Sequence, residues 1–210
     1  MLTGPPPKFH GTRDILPCEG RSAKDQFASP YGDIARQGAN LVPRYQFLVD
    51  RVSQTGKLGH AAGKQPVVSH RSAQEKPPWK HRPDLHGSVE KQFVHPTLLG
   101  ESVLPFRIHK QFDSVLPVTG GKVLDQSAID RSPGLAQWWK TVNGEWDTHK
   151  TGKNRSRGVK LIEQADHMGK LTRQLRSSKH RILYSKSGNT LAAARTEPVN
   201  LNEASLRGIY

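Results

Sequence analysis

The segment "SPGLAQWWKTVNGEWDTH", residues 132–149, carries the clearest fold signal in the chain. Ser132 is a good helix cap, and Pro133 then takes the first helical position, where its missing N–H leaves no helical bond unmade. Large apolar side chains follow at helical spacing: Leu135, Trp138, Trp139, Val142 and Trp146. The pattern predicts a helix over about 133–149 whose tryptophan stripe faces a core, with base stacking as the alternative role of the rings.

A second helix is predicted downstream, over about 159–175. Its apolar residues fall roughly on one side: Leu161, Ile162, Ala165, Met168, Leu171 and Leu175. The surrounding segment 153–181 holds nine Lys or Arg against only Glu163 and Asp166. Such a run is either a solvated face or a surface that contacts phosphates, and both interpretations remain open.

Upstream of these helices the signals favour short strands separated by loops. An aromatic and β-branched run predicts a strand at 45–52, and a second short strand is predicted within 65–72. Prolines make 73–83 a loop and break 89–108 into strand-like pieces. Short strands and two main helices without β-α-β alternation predict a loop-rich α+β fold.

The segment "RILYSKSGNTLAAAR" near the end of the chain predicts a β-hairpin. Its strands would be 181–186 and 190–195, joined by a turn at 187–189, where Gly and Asn tolerate positive φ. The hairpin is either a structural element at a domain edge or a DNA-contacting tip. In the second case its tip would bring Lys186 and Asn189 near DNA, and Asn is suited to bidentate pairing with adenine.

The net charge points to a polyanionic partner. The 210 residues carry a formal charge of +14 and an isoelectric point near 10.2, with 34% hydrophobic residues. Nucleic acid is the first candidate for the partner. An anionic membrane surface is the second, but no strongly amphipathic basic helix at a terminus supports it, and no membrane partner is expected.

The N-terminal sequence and the cysteine content suggest an intracellular setting. Cys18 is the only cysteine, so no internal disulfide framework is possible and a reducing compartment fits. Neither a signal peptide nor a long apolar stretch is apparent, so a cytoplasmic protein is expected. Residues 1–33 are rich in Pro, Gly, Ser and charge and are expected to be poorly ordered, leaving 34–210 as the folded domain.

Common catalytic motifs are absent from the sequence. Neither Gly-Lys pair, at 63–64 and 121–122, has the glycine five positions earlier that a Walker phosphate loop needs. No G-x-G-x-x-G follows a strand, so a Rossmann-type cofactor loop is not indicated. No acidic residue is followed two positions later by Lys, the pair that metal-dependent nucleases commonly use. His81 and His86 lack zinc-site spacing and carboxylate support. No catalytic, cofactor-binding or metal-binding residue is therefore predicted.

The loop "EKPPWK", residues 75–80, comes close to a catalytic motif. Amino-group DNA methyltransferases use Asn, Asp or Ser before Pro-Pro-aromatic, because an oxygen must accept hydrogen bonds from the target amino group. Lys76 stands in that position, and an ammonium has donors only. The stretch is therefore either a proline-rich surface loop or a DNA contact made by Lys76, Trp79 and Lys80.

Five segments together resemble one protein family. They are "RQGANLVPRYQFLV" (36–49), "SHRSAQEKPPWK" (69–80), "FVHPTLLGESVLPFRI" (93–108), "GLAQWWKTVNGEWDTHK" (134–150) and "ILYSKSGNTLAAAR" (182–195). In this order they look like the C-terminal part of long adenine-specific N6 DNA methyltransferases of restriction-modification systems. The resemblance covers most of the chain from about Arg36 onward.

The resemblance implies S-adenosylmethionine as methyl donor and DNA adenine as substrate. The Gly-rich cofactor loop and the Asn-Pro-Pro-aromatic motif of that family do not occur here. The chain therefore resembles the target-recognition and DNA-clamping portion, expected to be inactive alone and to work with a separate catalytic chain. The candidate DNA contacts are Arg36, Arg44, Arg71, Lys76, Trp79, Lys80, Lys170, Arg173, Lys186, Asn189 and Arg195.

Two other interpretations remain open at this level. The basic charge alone would also fit a small RNA- or ribosome-associated binding protein. The low hydrophobic content would fit a truncated fragment without function.

Overall fold

The computed structural model describes residues 37–53, 62–175, 181–185 and 192–196. The expectation of a poorly ordered segment at 1–33 lies outside these residues, as do Arg36, Lys186, Asn189 and the predicted turn at 187–189.

The described residues form one long helix and several short ones. The α-helices are α1 (Arg44–Phe47), α2 (Gln126–Asp130), α3 (Pro133–His149), α4 (Gly152–Ser156), α5 (Leu161–Ala165) and α6 (Lys170–Gln174). Four single 3-10 turns accompany them, at Trp79–His81, Lys91–Phe93, Gly100–Ser102 and His167–Gly169.

The strands are short, and all of their pairings are antiparallel. They are β1 (Leu48–Arg51), β2 (Lys64–Ser69), β3 (His86–Glu90), β4 (Val94–Thr97), β5 (Val103–Leu104), β6 (Arg107–Ile108), β7 (Phe112–Val115), β8 (Val118–Thr119), β9 (Lys122–Val123), β10 (Arg181–Tyr184) and β11 (Ala193–Thr196). The α+β fold class expected from the sequence is confirmed.

A five-stranded sheet in the order β3-β2-β1-β7-β4 forms the centre of the fold. In its middle, Val49 of β1 pairs with Ser69 of β2 on one side and with Asp113 of β7 on the other. Helix α3 packs along β3, at one edge of the sheet. The core therefore lies between this helix and the sheet.

The tryptophan stripe of α3 faces this core, as the sequence predicts. The five apolar residues of the stripe are all buried: Leu135, Trp138, Trp139, Val142 and Trp146. The alternative, in which these rings are exposed for base stacking, does not hold for this helix.

The start of α3 is capped by a carboxylate from the sheet and not by Ser132. Ser132 stands at the N-cap position, but its side chain makes no capping hydrogen bond. The Glu90 carboxylate instead accepts hydrogen bonds from the backbone N–H groups of Gly134 and Leu135, each at 2.9 Å. Burial of Glu90 acts to raise its pKa, but these hydrogen bonds and nearby Lys64 outweigh it and hold the pKa below its usual value.

Two glycines allow α3 to approach β3 closely. A Cβ atom on Gly134 would lie 2.3 Å from the backbone oxygen of Ser88. A Cβ atom on Gly87 would lie 2.9 Å from the ring of Trp138. No larger residue fits at Gly134 unless the helix moves away from the strand.

The second predicted helix is wrong as a single element. The stretch 159–175 forms α5 and α6, separated by a 3-10 turn in which Met168 and Gly169 have φ of 59° and 69°. The Asp166 carboxylate accepts hydrogen bonds from the N–H and hydroxyl of Thr172, at 2.8 and 2.5 Å, which stabilises the break. Met168 consequently lies 69% exposed, outside the apolar stripe to which its spacing assigns it.

Two strand predictions hold in part. The stretch 45–52 contains β1, but its first residues form the short helix α1. Residues 181–184 and 193–196 pair as an antiparallel ribbon, which confirms the described part of the C-terminal hairpin.

None of the helices in the described part of the chain has both the length and the apolar character that crossing a bilayer requires.

Gly134→Ala should destabilise the protein strongly, by about 2 kcal/mol or more, because its methyl group overlaps the backbone of β3. Gly144→Ala is the matched control. Its Cβ meets no atom within 4 Å, so it should stabilise α3 by roughly 1 kcal/mol through helix propensity. Urea unfolding of both variants measures the difference, and equal effects would contradict the close approach.

Acidification should destabilise the fold through His95. This side chain is 2% exposed and its Nε2 has no hydrogen-bond partner, and burial lowers its pKa from 6.5 to about 4. The unfolded chain takes up the proton more readily, so stability is full above pH 6.5 and falls as the pH drops towards 4, by up to about 3 kcal/mol. Urea unfolding across this range should show the loss.

His95→Leu should weaken this dependence on pH, whereas replacing the exposed His167 by Ala should leave it in place. If the free energy of unfolding of His95→Leu fell with decreasing pH as steeply as that of the parent, His95 would not be the source of the acid sensitivity.

Candidate nucleic-acid interface

The loop between β2 and β3 is held against the C-terminal half of α3 by a group of aromatic rings. Trp79 stacks on Trp146 with ring centroids 6.0 Å apart and planes 6° from parallel. Tyr45 lies 6.1 Å from Trp79, and His149 meets Trp79 edge-on at 6.0 Å. We call this contact, made by Tyr45, Trp79, Trp146 and His149, the tryptophan junction.

An ion pair locks the junction beside the rings. Arg82 donates two hydrogen bonds to Glu145, both at 2.7 Å, and Tyr45 donates a third at 3.2 Å. The Arg82 hydrogen bond holds the pKa of Glu145 below its usual value. Burial, followed by the charge of Glu145, raises the pKa of Tyr45 to about 12. The Glu145 carboxylate is thus charged and accepts its hydrogen bonds from within the protein, and the Tyr45 phenol stays neutral.

Arg71 stabilises the loop itself. Its guanidinium donates to the backbone oxygens of Trp79, Lys80 and Arg82 at 2.9–3.2 Å. It also contacts the carboxylates of Glu75 and Asp84 and lies 4.9 Å above the Tyr45 ring. The main role that the structure gives Arg71 is therefore to hold the loop together.

The chain after α3 folds back over the junction. Trp146 donates its indole N–H to the backbone oxygen of Val159 at 2.9 Å, and Lys150 reaches the same oxygen at 3.2 Å. Arg155 donates to the backbone oxygen of Thr148 at 2.9 Å. These bonds place the basic segment 150–159 at the C-terminal end of α3, where the helix dipole favours cations.

Among the residues that the structure describes, the acidic side chains around the junction form ion pairs, whereas several basic side chains do not. Glu75 and Asp84 contact Arg71, Glu145 contacts Arg82, and Asp147 contacts Lys150 at 2.9 Å. Within the described residues, five exposed cations around the junction form no ion pair with a carboxylate. This set, which we call the cationic rim, consists of Lys76, Lys80, Lys153, Arg155 and Arg157.

The structure gathers only part of the predicted set of DNA contacts. Lys76, Trp79 and Lys80 lie at the junction, and Trp79 is half-buried because its ring is committed to Trp146. Arg44 lies beside this loop and links it to the 3-10 turn at 100–102, through Ser72 at 3.4 Å and Glu101 at 3.3 Å.

The remaining described candidates belong to other elements. Lys170 and Arg173 lie on α6, half-buried and exposed respectively, and Arg195 lies exposed on β11. For Arg36, Lys186 and Asn189, which lie outside the described residues, the DNA-contact hypothesis remains a prediction.

Sequence reasoning singled out Trp79 and Trp146 but missed three other residues that hold the junction together. Tyr45, Arg82 and Glu145 come from three distant parts of the chain, and no local pattern links them. The sequence did indicate the three rim residues of 153–157 as possible phosphate contacts, because they belong to the run of nine basic residues. Nothing in that run predicted that they lie beside Trp79.

In the described ranges, no group of three or more His, Cys, Asp or Glu side chains is arranged to hold a metal ion. No protein-family model matches the chain, and no similar protein is found among curated proteins or solved structures. The resemblance to adenine methyltransferases therefore depends on the five sequence segments alone.

Trp79→Ala should destabilise the protein in the absence of any ligand, by about 2 kcal/mol, because it removes the stack on Trp146. Trp79→Phe should cost less, since it keeps an aromatic ring, and Lys80→Ala should change stability little. Urea unfolding of the three variants provides the test. If Trp79→Ala were as stable as the parent, the ring would be available for a ligand and the structural role of the stack would be wrong.

Proposed function

We propose that the protein binds nucleic acid, with duplex DNA as the leading partner, through the cationic rim of the tryptophan junction. The observation that carries the proposal is that the rim cations form no ion pair with a carboxylate among the described residues, whereas the acids around the junction are paired. A phosphate that meets these Lys and Arg side chains therefore breaks no ion pair within that part of the chain. Each neutralised phosphate also releases counterions, which drives binding at low salt.

The tryptophan junction holds in place the loop that carries two of these cations. Lys76 and Lys80 lie on a loop that Arg71, Arg82 and the Trp79–Trp146 stack hold in place. A loop that is already ordered loses less conformational entropy when it binds. The rim therefore suits contacts that position a nucleic-acid backbone, which supply affinity without reading sequence.

The finer proposal is that the chain is the target-recognition portion of an adenine-specific N6 DNA methyltransferase. In that case a separate catalytic chain would bind S-adenosylmethionine and transfer the methyl group in the cytoplasm. Two of the five segments that carry the resemblance, 69–80 and 134–150, contain the stacked pair Trp79 and Trp146. This contact supports treating the two segments as one surface.

Binding to a short DNA duplex should weaken steeply with salt, and Arg157→Ala should weaken it further. Removal of one phosphate contact should reduce the slope of log affinity against log salt by about 1. Arg131→Ala is the matched control, because Arg131 is also exposed but lies at the opposite end of α3, about 25 Å away along a helix of 17 residues. Fluorescence anisotropy at several salt concentrations measures both variants.

Three outcomes decide between the functional interpretations. If Arg157→Ala and Arg131→Ala weakened binding to DNA equally, the cationic rim would not be the interface, and binding would depend only on the overall positive charge. A flat salt response, or the absence of binding at low salt, would contradict a nucleic-acid role. A clear preference for duplex RNA of the same length would favour the RNA-associated alternative over DNA.

A further inference from the structure

The hairpin of β5 and β6 presents an unusual aromatic residue at its turn. Phe106 is 95% exposed and adopts φ of 67°, in the left-handed region. Its backbone N–H donates to the backbone oxygen of Ala193 at 2.7 Å, which attaches the turn to strand β11. The side chain thus projects into solvent from a backbone that is held in place.

The stability of the fold does not explain a phenylalanine at this position. The left-handed conformation disfavours residues with a Cβ atom, and Gly or Asn is the usual solution. An exposed phenyl ring also contributes little burial of apolar surface. Phe106 therefore adds backbone strain and contributes little to the burial of apolar surface. An outlier of this kind points towards function.

A small apolar cluster also anchors the hairpin. The cluster is made by Leu98, Val103, Leu183, Ala192 and Ala194, with Ile108 packed against it. Since alternate residues of a strand face opposite sides, the neighbours of Leu183 in β10 face outward: Ile182 is 73% exposed and Tyr184 is 37% exposed. The ribbon of β10 and β11, to which the turn is bonded, therefore also exposes apolar surface.

Positive charge accompanies the exposed ring. The stretch 103–110 contains Arg107 and Lys110 and no acidic residue, and both of these side chains are exposed. The nearest acidic residue before it in the sequence, Glu101, is paired with Arg44. Within residues 37–53, 62–175, 181–185 and 192–196, the two cations of this stretch form no ion pair with a carboxylate. An exposed aromatic ring next to such cations matches the bases and phosphates of a nucleic-acid strand better than an apolar protein surface.

We propose that Phe106 stacks on an unpaired base of a nucleic-acid strand while Arg107 contacts the adjoining phosphate. The inference rests on the proposed nucleic-acid binding and adds a second, base-contacting element to it. Arg44 contacts both the loop of the tryptophan junction and Glu101, which precedes the hairpin, and so links the two elements within the fold. The ligand class is single-stranded nucleic acid, or a duplex that contains an unpaired base.

The test compares Phe106→Gly, Phe106→Trp and Val52→Ala in the full chain, with a fluorescent single-stranded oligonucleotide. Phe106→Gly should lower the affinity about tenfold, the expected effect of losing one stacked base. Phe106→Trp should retain affinity because it keeps a ring. Val52→Ala, which shortens another exposed apolar side chain, should have no effect.

The free proteins provide the second measurement. Phe106→Gly should unfold at the same or a higher urea concentration than the parent, since glycine suits the left-handed turn. Weaker binding by a variant that is at least as stable cannot result from misfolding.

Three results would overturn the inference. An unchanged affinity in Phe106→Gly, with the effect of Arg157→Ala on duplex DNA intact, would remove Phe106 from the interface but leave the proposed function standing. Loss of self-association in Phe106→Gly without a change in affinity would assign the ring to a protein contact. If the parent bound neither single strands nor duplexes, both the inference and the proposed function would fail.

Discussion

The Glu90 carboxylate and the backbone N–H groups of Gly134 and Leu135 form the contact on which the arrangement of this protein depends. It joins the edge strand β3 to the first turn of α3, the point where a helix has unpaired donors and a positive dipole end. Only a glycine at 134 permits the approach, because any side chain would overlap the backbone of β3. With its first turn held on the sheet, α3 buries its tryptophan stripe and brings Trp146 to Trp79 near its other end.

The tryptophan junction shows how intramolecular pairing of charges shapes the surface around it. Arg71 and Arg82 form hydrogen bonds to carbonyls and a carboxylate of the protein, as suits the planar guanidinium with its several donors. The nearby acids are engaged in these pairs, so within the part of the chain that the structure describes the exposed cations of the cationic rim form no ion pair with a carboxylate. The structural arginines and the proposed phosphate-binding residues are thus different residues, although composition alone makes them look alike.

The elements that the sequence predicts well are those with local causes. Helix α3 has its proline start and its 3.6-residue stripe within one stretch, and its stripe is buried as predicted. The sheet order was not predictable, because it depends on pairings such as Val49 with Asp113, far apart in the chain. The helix predicted at 159–175 failed because Gly169 permits positive φ and Asp166 caps the next turn, and both effects outweigh the apolar period. The candidate site depends on still longer separations, since Arg82 and Glu145 lie 63 residues apart.

The central claim is that the cationic rim at the C-terminal end of α3 is the surface that meets duplex nucleic acid. An NMR titration of the isotope-labelled chain with a short DNA duplex tests it most directly. The account predicts that resonances of Lys76, Lys80 and segment 153–157 shift first, together with the indole N–H of Trp79, while Arg131 stays unchanged. Shifts that cluster at the N-terminal end of α3 instead, or no shifts at low salt, would contradict it.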